Sequence, residues 1–120
     1  MTEYVTRVYL EVDGQNIDDI KSVSEPETEH FKAVNTMHGT GVAEMVVRYS
    51  PITVEYLIPE TRSEFDWAGV RNGRLTIERT NGDRFTYTGV YPLKIGEAKA
   101  DGENEMVRTI ELCAMNKIEE

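Results

Sequence analysis

The sequence of 120 residues predicts a mainly β fold, namely a β-sandwich or a partly closed barrel with one short flanking α-helix. Three observations support this fold class. Apolar and polar residues alternate with a period of two in several segments, Asp-Gly and Asn-Gly pairs lie between these segments, and their spacing gives about six to eight strands. A chain of this length has room for one hydrophobic core, so residues 1–120 are expected to form a single domain.

The first third of the chain is expected to contain three strands. Alternation over 4–12 predicts a strand that enters a tight turn at Asp13-Gly14. A short returning strand or an irregular segment follows at 17–23, and 28–35 is predicted to be a strand of mixed polarity. The next segment, 35–41, contains two glycines within three residues, which indicates a flexible or sharply turned loop.

The middle of the chain is predicted to hold two strands and the one helix. Val, Ile, Tyr and Thr dominate 42–58, and Pro51 interrupts this stretch because proline cannot donate a hydrogen bond within a sheet. Segment 60–70 is predicted to be helical, since Ser63 and Asp66 have the spacing of a capping box. We expect Trp67 on this helix to pack in the core.

The clearest hairpin joins strands at 74–79 and 84–91. Its turn contains Asn81-Gly82, and both residue types accept the positive φ that a two-residue type I′ turn requires. Apolar side chains on the two strands should pair across the hairpin. The residues expected on this face are Leu75, Ile77, Phe85 and Tyr87.

The last strand is expected at 106–115, after an acidic turn that starts at Asp101-Gly102. Several carboxylates lie close together in 101–105, but they lack the ligand spacing and the terminal glutamate of a calcium loop. We therefore interpret this segment as a solvated turn.

The chain is acidic, with 22 Asp and Glu against 13 Lys and Arg and a formal net charge of −9. This charge repels the DNA backbone, so tight binding of nucleic acid is not expected. No apolar run reaches the roughly 20 residues needed to cross a bilayer, and the N-terminus lacks the basic and apolar regions of a signal peptide. These features predict a cytoplasmic protein with no membrane partner.

The sequence offers few groups suited to catalysis or to cofactor binding. Cys113 is the single cysteine and lies in an apolar alternation, which favours an inert thiol on a strand. His30 and His38 have neither the spacing nor the neighbours of a zinc site. The chain also lacks a nucleophile elbow and a Gly-rich phosphate loop. We therefore expect no enzymatic activity, no metal and no cofactor.

Opposite charges are concentrated in two distant stretches of the chain. Acidic residues dominate 11–29, whereas arginines cluster around the later hairpin. The two stretches could pair within one chain, or an acidic patch on one subunit could dock on a basic patch of the next and build a ring or filament. The candidate inter-subunit charge contacts are Asp18, Asp19, Glu25, Arg71, Arg74, Arg79 and Arg84.

The order of these features resembles that of phage tail tube proteins of the contractile-tail type. The opening Val8-Tyr-Leu-Glu-Val-Asp-Gly-Gln-Asn-Ile-Asp-Asp-Ile20 is similar to the family's first strand, Asp-Gly turn and short return. A Gly-Thr-Gly loop, a long strand pair, one short helix, a hairpin and a closing strand after an acidic turn follow in the same order. The resemblance covers nearly the whole chain, and it is one of pattern, without a catalytic signature.

This resemblance implies six copies that close into a ring, rings that stack into a tube, and an acidic lumen through which DNA passes without specific binding. It implies sheath, baseplate and terminator proteins as partners and a place in the virion tail, after assembly in the cytoplasm of the bacterial host. The loop of Gly39, Thr40 and Gly41 becomes the candidate inter-subunit loop. Relatives carry a longer ring-stacking loop at 35–43, which leaves the axial contact of this chain unassigned.

Several related readings stay open. Tube proteins of type VI secretion and of phage-derived bacteriocins share the fold, and their cargo can be an effector protein instead of DNA. The principal alternative is a small monomeric β-domain that serves as a tail-completion or adaptor protein or as a ligand-binding module. The two hypotheses differ in assembly: rings or tubes favour the first, and a compact monomer of 13.7 kDa favours the second.

Overall fold

A computed structural model describes residues 2–119 of the chain. The described residues form strands and a single 3-10 turn at Trp67–Gly69. The strands, in chain order, are β1 Val8–Val12, β2 Gln15–Ile17, β3 Ile20–Ser24, β4 Phe31–Thr36, β5 Gly39–Glu44, β6 Tyr49–Leu57, β7 Gly73–Arg79, β8 Arg84–Ile95, β9 Val107–Ala114 and β10 Asn116–Glu119. The prediction of a mainly β fold is confirmed.

Eight strands form the body of the molecule, in the order β2-β1-β7-β8-β9-β6-β3, with β10 paired to β8. All of these pairings are antiparallel. The long strand β8 belongs to both layers: its first half pairs with β7 and β10, and its second half pairs with β9. Since β2 and β3 end the order without pairing to each other, the body is a sandwich that is not fully closed.

Strand β8 has a bulge at Gly89, which has a φ of +65° and is skipped in the register with β7, where Gly73 pairs with Val90 and Arg74 with Thr88. A Cβ built at this position would lie 2.9 Å from Cβ and Cγ of Met115. A side chain at this position would therefore be both strained and crowded, and only glycine fits without a shift of its neighbours.

The core lies between the two layers and is built from the apolar residues that alternate along the strands. Its members among the described residues are Leu10, Val12, Ile17, Ile52, Val54, Tyr56, Trp67, Val70, Leu75, Ile77, Tyr87, Val90, Ile110 and Leu112. Leu75 pairs with Tyr87 and Ile77 with Phe85, as predicted for the hairpin face. The period-two pattern therefore identified the buried face of the main strands correctly.

The first strand is shorter than predicted. Its alternation begins at residue 4, but β1 begins at Val8, because the partner strand β7 ends opposite this residue at Arg79. Alternation without a pairing partner does not make a strand.

The two best turn signals of the sequence produce different turns. Asp13 and Gly14 have φ of 51° and 82°, as a type I′ turn requires, and Val12 pairs directly with Gln15. At Asn81-Gly82 only the glycine has a positive φ. The NH of Gly82 donates to the carbonyl of Arg79 at 3.0 Å, and the NH of Arg79 donates to the carbonyl of Asp83 at 2.8 Å. The prediction of a type I′ turn there is wrong: the loop has three residues and ends in a bulge at the glycine.

The predicted helix over 60–70 is also wrong, since only the 3-10 turn forms there. The hydroxyl of Tyr56 accepts a hydrogen bond from the NH of Phe65 at 2.9 Å, and the Asp66 side chain accepts one from the NH of Gly69 at 3.2 Å. Trp67 is 2% exposed and packs edge-on against Tyr56 and Phe65, with centroid distances of 5.6 and 4.9 Å. Packing of the indole thus overrides local helix propensity, and the expectation that Trp67 is a core residue is confirmed.

The molecule is longer than a compact domain of its size. Its principal extents are 64 × 38 × 29 Å and its radius of gyration is 17.8 Å. A compact chain of this length would have a radius of gyration of about 14 Å. Strands β4 and β5 form a separate two-stranded sheet outside the body.

Candidate assembly surface

The hairpin formed by β4 and β5 stands apart from the body. Its strands pair only with each other, in a register that runs from Phe31 opposite Glu44 to Thr36 opposite Gly39. The NH of Met45 donates to the carbonyl of His30 at 2.9 Å and closes the base of the hairpin. Every residue of both strands is exposed. We refer to 31–44 as the hairpin arm.

One face of the hairpin arm carries the apolar residues Phe31, Ala33 and Val42 together with the polar residues Asn35, Thr40 and Glu44. Phe31 is 65% exposed and Val42 is 75% exposed, and both lie on the same face as Ala33, which pairs with Val42. Met37 at the tip is 99% exposed. A lone two-stranded hairpin is at best marginally stable in water, and its outer edges carry unpaired NH and CO groups. The arm therefore has the composition and the free edges that suit docking on another chain.

The predicted Gly-Thr-Gly loop is in fact the start of β5. The turn lies one step earlier, at 37–38, where the hydroxyl of Thr36 donates to the carbonyl of Gly39 at 2.9 Å and accepts from the NH of His38 at 3.2 Å. Thr40 donates to the side chain of Asn35 across the hairpin at 3.1 Å. Gly39 has a φ of +137°, whereas Gly41 does not have a positive φ. A sharp turn does lie within the predicted segment 35–41, but the prediction of a loop at Gly39–Gly41 is wrong because the cross-strand ladder continues through both glycines.

Two segments connect the hairpin arm to the body, and both reach Tyr87 on β8. On the outgoing segment, Glu25 accepts a hydrogen bond from the Tyr87 hydroxyl at 3.3 Å. On the returning segment, the ring of Tyr49 packs edge-on against that of Tyr87, with centroids 6.0 Å apart. Burial and then the negative charge of Glu25 raise the pKa of Tyr87. The phenol therefore stays protonated and donates to the carboxylate.

The acidic candidates pair mainly within the chain. Glu25 accepts a hydrogen bond from Nη2 of Arg79 at 2.8 Å, and this bond raises the pKa of the guanidinium. Asp19 forms an ion pair with Arg62. Asp18 is exposed and lines a groove of about 610 Å³. Of the two alternatives left open by the sequence, intrachain pairing therefore accounts for Glu25 with Arg79.

The other candidate arginines occupy different settings. Arg71 donates from Nη1 to the carbonyls of Ala68 and Val70, at 2.6 and 2.9 Å. Arg74 is exposed on β7, and Arg84 is half-buried at the start of β8. The four predicted arginines therefore differ in exposure and in bonding partners, and their contact with another subunit remains a prediction.

The remaining chemistry of the described residues is sparse. Residues 2–119 contain no cluster of three or more His, Cys, Asp or Glu side chains that could hold a metal ion. Within the same residues, no helix has the length and apolar character needed to cross a membrane. Cys113 is a half-buried free thiol on β9.

The acidic turn at 101–105 is closed on itself. The carboxylate of Asp101 accepts hydrogen bonds from the NH groups of Glu103 and Asn104, each at 2.9 Å, which lowers its pKa to about 2. The interpretation as a solvated turn agrees with this geometry.

Sequence reasoning missed the exposed apolar face of the hairpin arm. It treated 28–35 as one more strand of mixed polarity. A partial signal was present on β5, where Val42 alternates with Gly41 and Ala43, whereas on β4 Lys32 separates Phe31 from Ala33. A strand that is apolar on one face and small or apolar on the other has no clear solvent side.

Comparisons with known proteins concern the fold. No protein-family model and no curated protein sequence matches the chain. A chain in the cryo-EM structure of the sheath/tube terminator of an extracellular contractile injection system, PVC, is similar with a TM-score of 0.79 at 19% identity, over 100% of this chain and 97% of that chain. A chain in the structure of the anti-feeding prophage cap, described as a tube terminating cap, has a TM-score of 0.77 at 13% identity, over 100% and 93%.

A third likeness is to Hcp1 from Flavobacterium johnsoniae, with a TM-score of 0.59 at 16% identity, over 93% of each chain. These descriptions name parts of tail-like assemblies, and none of them names a catalytic activity. The sequence had predicted a contractile-tail tube type of protein, and the solved structures agree with it at the level of fold. The chain therefore has the fold that occurs in tube, terminator and cap structures of contractile injection systems.

Proposed function

We propose that this protein is a structural subunit of the tube of a contractile tail or injection device, and that it acts by self-assembly without catalysis or a cofactor. The observation that carries the proposal is the hairpin arm, an exposed element with large apolar side chains on one face, whose strands pair with nothing in the body. The fold likeness to terminator and cap structures supports it.

In this proposal, six copies close into a ring and the rings stack into a tube, with sheath, baseplate and terminator proteins as further partners. The hairpin arm packs its apolar face on a neighbouring copy. The net charge of −9 gives the lumen an acidic character, which lets DNA or an effector protein pass without sticking. The protein is then located in the tail of a virion or of a related particle.

Apolar contacts are expected to supply most of the affinity between subunits. Complete burial of one large aliphatic or aromatic side chain contributes about 1.5–3 kcal/mol, and both Phe31 and Val42 are available for burial. An exposed ion pair contributes only about 0–1 kcal/mol. Charges such as Asp18 and Arg74 would therefore fix the register of neighbouring copies more than they hold them together.

The test uses size-exclusion chromatography and negative-stain microscopy of the wild-type protein, of Val42→Asp and of Ala43→Asp. The two variants add the same charge at adjacent exposed positions, but on opposite faces of β5. We expect rings or tubes for the wild type, their loss in Val42→Asp, and rings or tubes in Ala43→Asp. A wild-type protein that remains a monomer of 13.7 kDa up to high concentration would contradict the proposal.

A second candidate function is that of a ring which terminates a tube, as in tail completion. It is suggested by the TM-scores of 0.79 and 0.77 to chains of a terminator and a cap structure, next to 0.72 to a chain of a sheath-tube complex and 0.59 to Hcp1. Microscopy separates the two functions, because a terminator should give single rings that do not stack, whereas a tube subunit should give tubes of variable length.

A further inference from the structure

We propose that Glu25, Arg79 and Tyr87 form a carboxylate latch that fixes the direction of the hairpin arm in the free subunit. The arm would then be preset for docking before it meets another copy. The structural part of this inference stands on the contacts of the single chain, and its consequence for assembly rests on the proposed function.

The hairpin arm needs such a device because its connections contain no regular structure. Residues 25–30 lead out of β3 and residues 45–48 lead back into β6, and neither segment is in a strand or a helix. Neither strand of the arm pairs with the body. The direction of the arm therefore depends on what holds these two connections.

The latch holds the outgoing connection at its first residue. Glu25 follows directly after β3, and its two carboxylate oxygens are both used: Oε2 accepts from Arg79 at 2.8 Å and Oε1 from Tyr87 at 3.3 Å. The Glu25 side chain is 28% exposed, so the bonds lie partly out of solvent. Charge-assisted hydrogen bonds are stronger than neutral ones, and partial burial reduces their screening.

The partners of Glu25 are themselves rigid. Tyr87 is 1% exposed in the centre of β8, and Arg79 ends β7 with its guanidinium 4.5 Å from the centroid of the Phe85 ring. The same Tyr87 ring touches Tyr49, the residue at which the returning connection enters β6. The outgoing connection is thus bonded to Tyr87 through Glu25, and the returning connection ends at a β6 residue that packs on the same ring.

Loss of the latch should leave the fold of the body intact and widen the range of directions of the arm. A docking element that samples many directions meets its partner in the right one less often, so association slows. Removal of a charge elsewhere in the same segment, away from Tyr87, should neither widen the range of arm directions nor slow association. Glu27 is exposed two residues further along and provides this control.

The first measurement is a distance distribution by double electron–electron resonance between nitroxides at Met37→Cys, on the arm, and Thr109→Cys, an exposed position on β9. Cys113 is changed to Ala so that only two labels are attached. Every sample also carries Val42→Asp, which we expect to keep the protein monomeric. We expect the distribution to become at least twice as wide in Glu25→Gln and in Tyr87→Phe, which keeps the ring against Tyr49. We expect no change in Glu27→Gln.

The second measurement is the rate of assembly by light scattering, with Val42 and Cys113 intact and without labels. We expect Glu25→Gln to assemble about tenfold more slowly than Glu27→Gln. Equal widths in Glu25→Gln and Glu27→Gln would overturn the latch whatever the assembly result. If the widths differ as expected but no variant assembles, the latch stands and the proposed function fails. If the widths differ and the rates are equal, the claim that the latch presets docking is overturned.

Discussion

Two valines on successive strands illustrate the difference between the body and the hairpin arm. Val54 on β6 is 0% exposed and lies between paired strands, whereas Val42 on β5 is 75% exposed and lies in a hairpin with no layer above it. Both belong to segments rich in β-branched residues. Alternation and composition therefore indicate that a segment is a strand, but they do not indicate which chain covers its apolar face.

The largest expected effect is the difference in free energy of unfolding between a Val→Ala substitution at position 54 and one at position 42. Val54→Ala removes buried methyl groups and leaves a cavity, so it should lower the free energy of unfolding by about 2 kcal/mol. Val42→Ala should change the free energy of unfolding of the monomer by less than about 0.5 kcal/mol. Urea unfolding of dilute protein measures both. A comparable loss in Val42→Ala would mean that the arm packs on the body in solution.

A smaller effect separates the two glycines of the hairpin arm. Gly39 has a φ of +137°, so Gly39→Val should strain the hairpin by about 1–2 kcal/mol. Gly41 has no positive φ, and the closest atom to a Cβ there would be the Val34 carbonyl at 4.0 Å, so Gly41→Val should fit. Hydrogen exchange of the arm amides should be faster in Gly39→Val only. Unfolding of the body should have the same midpoint in both variants, and a shift in Gly39→Val would show that arm and body unfold together.

Alkaline pH should lower the free energy of unfolding of the body through Tyr87, the residue that Glu25 of the outgoing connection contacts. Because the pKa of Tyr87 is raised in the folded state, its contribution to stability is complete below the ordinary tyrosine pKa near 10 and is lost as the pH rises from there through the folded pKa. The expected slope is about 1.4 kcal/mol per pH unit for this one group. Urea unfolding between pH 9 and pH 11 should show it in the wild type. A slope of the same size in Tyr87→Phe would assign the loss to other tyrosines.

The smallest expected effect lies in the acidic turn, which is part of the connection between β8 and β9. The pKa of Asp101 is lowered to about 2, so its bonds to the turn amides are complete above the ordinary aspartate pKa and are lost as the pH falls through about 2. The amide shifts of Glu103 and Asn104 in an NMR titration should have a midpoint near this value. A midpoint near 4 would mean that the turn is open in solution.

The body could be predicted from sequence because its strands combine alternation with buried partners. Val54 and Ile77, for instance, lie on the predicted apolar faces of β6 and β7. The errors have tertiary causes that alternation does not contain. The helix at 60–70 is replaced by bends and a 3-10 turn because Trp67 packs against Tyr56, which lies on another element, β6.

The candidate site could be predicted only in outline. The glycines at 39 and 41 drew attention to the right region, but the sequence gives no sign that the arm pairs with nothing else in its own chain. Glu25 pairs with Arg79 of its own chain. The sequence left open whether the acidic stretch pairs with arginines of the same chain or of another subunit, since opposite charges far apart in sequence fit both. The contact of Glu25 with Tyr87 could not be predicted from sequence, because it depends on β3 and β8 lying on facing layers.

The shared strand β8 has a consequence for cooperativity. Since its first half belongs to one layer and its second half to the other, neither layer can detach without removing a strand from its counterpart. The body should therefore unfold in a single transition, and a force applied to one layer of the subunit would be carried by both.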